Sequence, residues 1–393
     1  MNGGANVFKS ACKNSPSNPA RFFPLRQRKR RELGLQSELG KIELRVDYGQ
    51  DPMSGQWGCA LQRYWGMAPH QKITPGFCEK LCFTATATGS YEEAAQVASR
   101  WMQSPVSAST IHKLVQRLGA QAEQQTQERL NVPPQERPPQ RRASELGVLM
   151  VDGWMVRQRG PGWGKVKTQQ NRVEWHELKT GLFYRQEQSG RTHGPRGVLT
   201  DKVIVSWQGE PMELGRRLQW EALRGGLGGA RHLLFLGDGA PWIWNLQQDP
   251  WAQAMGLLDF YHASQHCWNL WRAVRGEKDP QLPAWMDRRL HWLRHGEEKK
   301  VLRQIAALAK PQGEAGEIIE AEQAYFQRQA QRMNYQEIAR RGWPIGSGAV
   351  ESACRQKQCR FKRPGQFWTP QGLRHLLALD EARRNHHWNQ LWN

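Results

Sequence analysis

The clearest hydrophobic periodicity along the chain is helical. In residues 90–118, SYEEAAQVASRWMQSPVSASTIHKLVQRL, Ala94, Val97, Ala98 and Trp101 recur at three- and four-residue intervals and predict a helix. Ser104-Pro105 stops it. Ser107 is placed to cap a second helix, whose buried stripe is Ile111, Leu114, Val115 and Leu118. Thr110, His112, Lys113, Gln116 and Arg117 fall on its other face. Two helices joined by a tight polar turn, the second with a basic outer face, predict a helix-turn-helix. The competing reading is an ordinary helical hairpin.

Strand patterns follow. KIELRVDY (41–48) alternates. LGVLMVDGWMVR (146–157) is short, almost wholly apolar and bounded by glycine, as a buried central strand would be. Residues 175–185 alternate like a hairpin arm, and 201–207, 232–240 and 254–262 read as further strands. Residues 212–224 read as an amphipathic helix. From 263 to 341 the pattern turns helical throughout, enough for about three helices. NVPPQERPPQRR (131–142) carries four prolines and marks a stiff linker. The expected organisation is a basic disordered arm (1–40), a DNA-binding region with the helix-turn-helix (41–130), the Pro-rich linker (131–145), and an α/β core. The core's first part (146–262) is interrupted by an all-helical insertion (263–345) and completed by a helix and basic tail (346–393).

Charge narrows the choice of partner. The chain carries 56 Lys and Arg against 36 Asp and Glu, a net charge of +20. Such a field favours a polyanion, nucleic acid before an anionic membrane. No run approaches the roughly 20 apolar residues of a membrane span, and the N-terminus lacks an apolar signal core. A soluble cytoplasmic, nucleoid-associated protein is expected. Seven scattered cysteines do not form a disulfide framework. Cys78-x-x-x-Cys82, with Cys59 and His70 upstream, has some zinc-ligand character. Its spacing is irregular and no paired CxxC is present, so structural Zn²⁺ is not expected.

Two of the apolar strands carry an acid. Asp152 follows Val148-Leu149-Met150-Val151, and Asp238 follows Leu233-Leu234-Phe235-Leu236-Gly237. A third acid, Glu351, opens a predicted helix behind Gly346-Ser347-Gly348. Each has a plain structural use: a strand-end turn for the aspartates, an i,i+4 pair with Arg355 for Glu351. Together they suggest a divalent metal site, with all-oxygen ligands favouring two ions of Mg²⁺ (or Mn²⁺). On a helix over 349–362, Glu351, Arg355, Gln358 and Lys362 share a face. Arg355, Lys357, Arg360, Lys362 and Arg363 are then expected to meet DNA phosphates leading to the acids.

Strand-Asp, strand-Asp, helical insertion, helix-Glu, with spacings of 86 and 113 residues, resembles the DDE transposases. GDGAPWIWN (237–245), LDFYH (258–262), GSGAVESA (346–353) and FKRPGQFWTPQGLRHLLAL (361–379) resemble bacterial insertion-sequence transposases. Asp259-Phe-Tyr-His262 is similar to the C/D-x-x-H signature of the hAT and Mutator-like branches. The resemblance covers most of residues 90–393 and implies an RNase H-like catalytic domain. It assigns metal binding to Asp152, Asp238 and Glu351, and a place beside the site to His262, whose plain alternative is a core histidine ending a strand. Asp259 reads as structural.

The implied activity is binding of terminal inverted repeats, metal-dependent hydrolysis of a phosphodiester, and strand transfer into target DNA. The implied partner is double-stranded DNA, with a homodimer or larger assembly on it. One of Trp268, Trp271, Trp285 and Trp292 is a candidate to stack on a flipped base, with core packing as the alternative for each. The runner-up is a structure-selective nuclease of the same fold that cuts without joining; the third reading is a non-catalytic, exapted DNA-binding protein.

Overall fold

The computed structural model describes residues 24–68, 71–102, 104–132, 144–164, 173–191 and 197–392. The chain divides into two compact units, Met1–Gln121 with Trp392–Asn393, and Ala122–Leu391.

The first unit opens with an antiparallel sheet of β1 (Arg26–Ser37), β2 (Gly40–Gln50) and β3 (Trp57–Cys59). This corrects the expectation of a disordered arm to residue 40: over residues 26–37 the basic run is a strand. Its N-terminal half is exposed, which is why it reads as a tail. Only the last residues, with Leu35 and Ser37 buried, carry an inward face. Residues 1–23 lie outside the described residues.

After α1 (Ala60–Tyr64) come α2 (Pro75–Ala87), α3 (Tyr91–Trp101) and α4 (Ala108–Asn131), of which the residues up to Gln121 belong to this unit. Phe77, Leu81, Cys82, Ala85, Ala94, Ala98, Ile111, Leu114 and Val115 are buried, so most of the predicted stripes face a core; Trp101, at the end of α3, is instead 80% exposed, and Val97 and Leu118 are half-buried. Ser90 caps α3 by accepting the Glu93 N–H at 3.1 Å, and Ser107 caps α4 by accepting that of Thr110 at 3.2 Å. Of the expected Pro-rich linker (131–145), Asn131 ends α4 and Ser144 and Glu145 open a strand, while residues 133–143 lie outside the described residues.

The second unit is built on a five-stranded mixed sheet in the order β10-β9-β4-β5-β8. The strands are β4 (Ser144–Arg159), β5 (Val173–Arg185), β8 (Val203–Trp207), β9 (Ala230–Gly237) and β10 (Met255–Leu258). A small hairpin, β6 (Ser189–Arg191) with β7 (Gly197–Leu199), stands apart. β4 is antiparallel to β5 and β5 to β8, whereas β4, β9 and β10 run parallel. β4 is therefore central, as its apolar run predicts.

Helices cover both faces. On one, Leu218 of α5 (Pro211–Arg224) approaches so closely that a Cβ at Gly181 of β5 would lie 2.6 Å from it. On the other lies α12 (Gly348–Phe361), its Phe361 ring 6.4 Å from that of Trp154. α6 (Pro241–Gln248) links β9 to β10, and α13 (Pro370–Arg384) closes the unit.

The expected strand over 254–262 ends early, at Leu258. Asp259 accepts the N–H of His262 at 2.7 Å and so caps α7 (Phe260–Arg275). His262 is thus in the first turn of a helix, not at a strand end. The all-helical segment contains α7, α8 (Leu282–Arg294), α9 (Glu298–Ala306), α10 (Glu314–Gln329) and α11 (Tyr335–Arg340), more than the three expected. Glycines in left-handed or other positive-φ geometry at 276, 296 and 313 break the pattern into shorter pieces.

Candidate functional site

The parallel register aligns the acids. Met150 pairs with Leu236 across β4 and β9, so Asp152 and Asp238 each stand two residues beyond the last paired position. Leu258 pairs with Gly237 across β10 and β9, so Asp259 follows one residue after Leu258 as Asp238 follows Gly237. Asp152 thus stands midway along β4, just past the point where its pairing with β9 stops, while Asp238 and Asp259 follow directly on the ends of β9 and β10. The glycines make room. A Cβ at Gly237 would lie 2.4 Å from Ile243, and one at Gly239, where φ is +102°, would lie 2.7 Å from Tyr325.

Asp238 makes the turn its sequence suggests, its Oδ1 accepting the Ala240 N–H at 2.8 Å. Its backbone carbonyl accepts the Tyr325 hydroxyl at 2.7 Å, and that ring stacks on His266, whose Nδ1 lies 2.7 Å from Glu322. Residues of α7 and α10 therefore buttress the loop that carries Asp238.

Glu351 arrives from α12 by way of Asp259. The Asp259 carboxylate is fully buried. One oxygen caps α7 and lies 3.1 Å from His262 Nδ1; the other accepts the N–H of Ser347, the N-cap position of α12. Gly346, just before it, packs so closely that a Cβ there would lie 2.8 Å from the Tyr261 ring. Ser347 Oγ in turn lies 3.1 Å from Glu351 Oε1. The result is a tight group: ligand atoms of Asp259, His262 and Glu351 all lie within 4.8 Å of one another.

Asp152 and Asp238 stand outside that tight group but within electrostatic reach. Burial, chiefly, raises the Asp152 carboxyl above its ordinary range; a hydrogen bond with Cys354 opposes this, and the Asp238 charge adds to it. The hydrogen bond with Asp259 raises His262, against its burial, and the charges of Asp238 and Glu351 raise it further. Burial alone would raise Asp259 too, but hydrogen bonds from His262 and Ser347 outweigh it and hold it low. The donor set fits a hard divalent cation. A divalent ion would offset the burial and the Asp238 charge that raise the Asp152 carboxyl.

Of the expected DNA contacts, Arg355 is the most open, its side chain 80% exposed and 3.7 Å from Glu351. Lys362 and Arg363 lie at the end of α12, partly and fully exposed. Lys357 and Arg360 are corrected: both are buried. Val350, Ala353, Cys354, Lys357 and Phe361 form the inward stripe of α12, and Lys357, with no exposed surface, lies 3.1 Å from Asp380. Arg360 lies over the Trp368 ring.

In the first unit, His112 and Lys113 are exposed and Thr110 and Gln116 half-buried. Arg117 is drawn inward by a hydrogen bond with Cys78. Cys78 also contacts Gln71 and the Ile73 carbonyl, and the three upstream cysteines do not converge among the described residues; His70 lies outside them. Burial pushes the Cys78 thiol up to about 11. Trp271 is buried with the Trp285 ring 4.1 Å away, and Arg289 sits over Trp271, Trp285 and Trp292, of which Trp285 and Trp292 are half-buried. Trp268 is half-buried under Arg272.

Sequence reasoning missed the contact of Cys354 with Asp152, although Cys354 lies three residues, nearly one helical turn, beyond Glu351. It also missed Tyr325, a lone aromatic with no motif around it.

Residues 19–165 match the model of an uncharacterised protein family, UPF0236. No curated protein matches the chain. Among solved structures the chain is similar to a Drosophila P element transposase strand transfer complex, at 10% identity and a TM-score of 0.38, over 79% of this chain and 92% of that one. Among the described residues no helix is long and apolar enough to cross a membrane.

Proposed function

We propose that the protein is a DDE-type DNA transposase whose second unit is an RNase H-like catalytic core. The observation that carries this reading is that β4 and β9 bring Asp152 and Asp238 to corresponding positions of neighbouring parallel strands, beside a group of Asp259, His262 and Glu351 held together by the Asp259–Ser347 contact. The strand order, three antiparallel strands followed by two parallel ones on the far side of the first, is that of RNase H-like folds and supports the same reading. So do the motif resemblances around Asp238, His262 and Glu351.

In this reading Asp152, Asp238 and Glu351 hold two Mg²⁺ or Mn²⁺ ions. Such ions, when bound, lower the pKa of water and neutralise charge on a phosphodiester. His262, its proton affinity raised by Asp259, presents a cation to the phosphate oxygens. Arg355, Lys362 and Arg363 hold the DNA backbone beside the acids. His112 and Lys113, exposed on α4, are the residues of the helix-turn-helix that would read an inverted repeat. The buttress of Tyr325 and His266 keeps the Asp238 loop fixed while DNA binds.

The test is purified protein with a labelled element-end duplex, with and without Mg²⁺, scored for nicking and for joining to a second duplex. Nicking and joining are expected, and Asp152→Asn should abolish both while leaving DNA binding within about threefold. Nicking without joining would favour the nuclease. Loss of binding together with cleavage would count against Asp152 as a metal ligand.

A further inference from the structure

The free end of the β4–β5 hairpin bears an exposed indole and two arginines that the catalytic reading does not use, beside Lys362, which it does. β8 pairs with β5 only as far as Lys179, so the hairpin beyond it stands clear of that neighbour. Cross-strand register sets Arg157 opposite Trp175 and Arg159 opposite Val173, on the face away from Asp152. Trp175 is 52% exposed, and Val173 and Met155 on the same face are also open. Cations surround the indole: the Arg157 guanidinium lies 5.8 Å and the Lys362 ammonium 5.4 Å from its centroid.

None of these cations is neutralised by an acid. Arg157 donates to the carbonyls of Lys362 and Arg363, and Arg159 to that of Phe367 at 3.1 Å. Among the described residues, Arg157, Arg159 and Lys362 have no carboxylate partner. Nearby acids are engaged elsewhere, Glu174 with His176 and Glu177 with Lys179. An exposed indole ringed by unneutralised cations matches a nucleotide: the π-face takes a base and the cations take the flanking phosphates. A duplex hides its base faces, so the ligand that fits is unpaired.

We propose that Trp175, with Arg157, Arg159 and Lys362, is a stacking site for an unpaired nucleotide of single-stranded DNA. Arg157 lies five residues along β4 from Asp152, roughly 17 Å. Lys362 lies eleven residues along α12 from Glu351, roughly 16 Å. The site therefore takes a strand outside the acid cluster, at a distance of about five nucleotides at duplex spacing. This deepens the transposase reading, which supplies the DNA, and moves base stacking from the helical insertion to the hairpin.

The experiment uses the full chain in EDTA, with fluorescence anisotropy of a short dye-labelled single-stranded oligodeoxynucleotide and of the duplex of the same sequence. Trp175→Ala should weaken single-strand binding by roughly tenfold or more, with duplex affinity changed less than about twofold. Trp175→Phe should restore most of the loss, and Lys362→Ala should reduce the salt slope by about one phosphate contact. Unchanged single-strand affinity in Trp175→Ala, or equal losses for both DNA forms, would overturn the proposal. Because metal is excluded, failure of the catalytic reading is distinguishable: it would appear as absent nicking with single-strand stacking intact.

Discussion

The carboxylate of Asp259 accepts the backbone N–H of Ser347, 88 residues further along the chain. With its other oxygen it caps α7 through the N–H of His262. One buried side chain thus fixes the start of the helix that carries His262 and the start of the helix that carries Glu351. Its two oxygens are occupied by the protein, which suits a positioning residue.

Replacing Asp259 with Ala removes a helix cap and leaves a buried N–H unpaired. Together these should cost about 3 kcal/mol, read from urea unfolding. Cleavage should fall further than stability explains, because Glu351 loses its anchor. A variant as stable as the parent would mean that Ser347 and α7 are held by something else.

Lys357 lies fully buried against Asp380, which also receives Arg383 and Arg384. Lys357→Met should destabilise by about 3 kcal/mol, since it removes one partner of a buried ion pair. Folded Lys357→Met at low temperature should bind duplex DNA like the parent. A clear loss of DNA affinity without a loss of stability would return Lys357 to the DNA-contacting set.

Glu381, beside that network, accepts the Ser206 N–H and lies 4.0 Å from Lys357. Burial pushes its carboxyl up to about 7, against the pull of Lys357. The folded state then holds a proton that the unfolded state releases near pH 4.5. Glu381 therefore makes stability fall as pH rises from about 4.5 to about 7. Glu381→Gln, which keeps an acceptor for Ser206, should flatten that slope by about 3 kcal/mol across the interval. Chemical denaturation at several pH values measures it; parallel slopes for parent and variant would show that Glu381 ionises freely.

The elements legible in the sequence were those whose burial is uniform. β4, β5, β8 and β9 announce themselves by apolar runs or alternation, and α3, α4 and α5 by their stripes. β1 hid because most of it is exposed and basic, so charge masked its alternation. The strand ending at Leu258 was read too far because Phe260 and Tyr261 continue an apolar run, while Asp259 is the helix cap that interrupts it. Lys357 and Arg360 look like surface cations in a basic segment; only the distant acid Asp380 and the Trp368 ring, both from beyond α12, turn them inward. Asp152 and Asp238 were legible because a carboxylate in an apolar run is costly. The role of Asp259 in holding the start of α12 and hence Glu351 was not, because it depends on a backbone contact that leaves no pattern in side chains.

The most direct test of the central claim is Mn²⁺ binding to the full chain, followed by electron paramagnetic resonance. Saturable binding is expected, weakened at least roughly tenfold by each of Asp152→Asn, Asp238→Asn and Glu351→Gln. Binding that is absent in the parent, or unaffected by all three substitutions, would contradict a shared metal site.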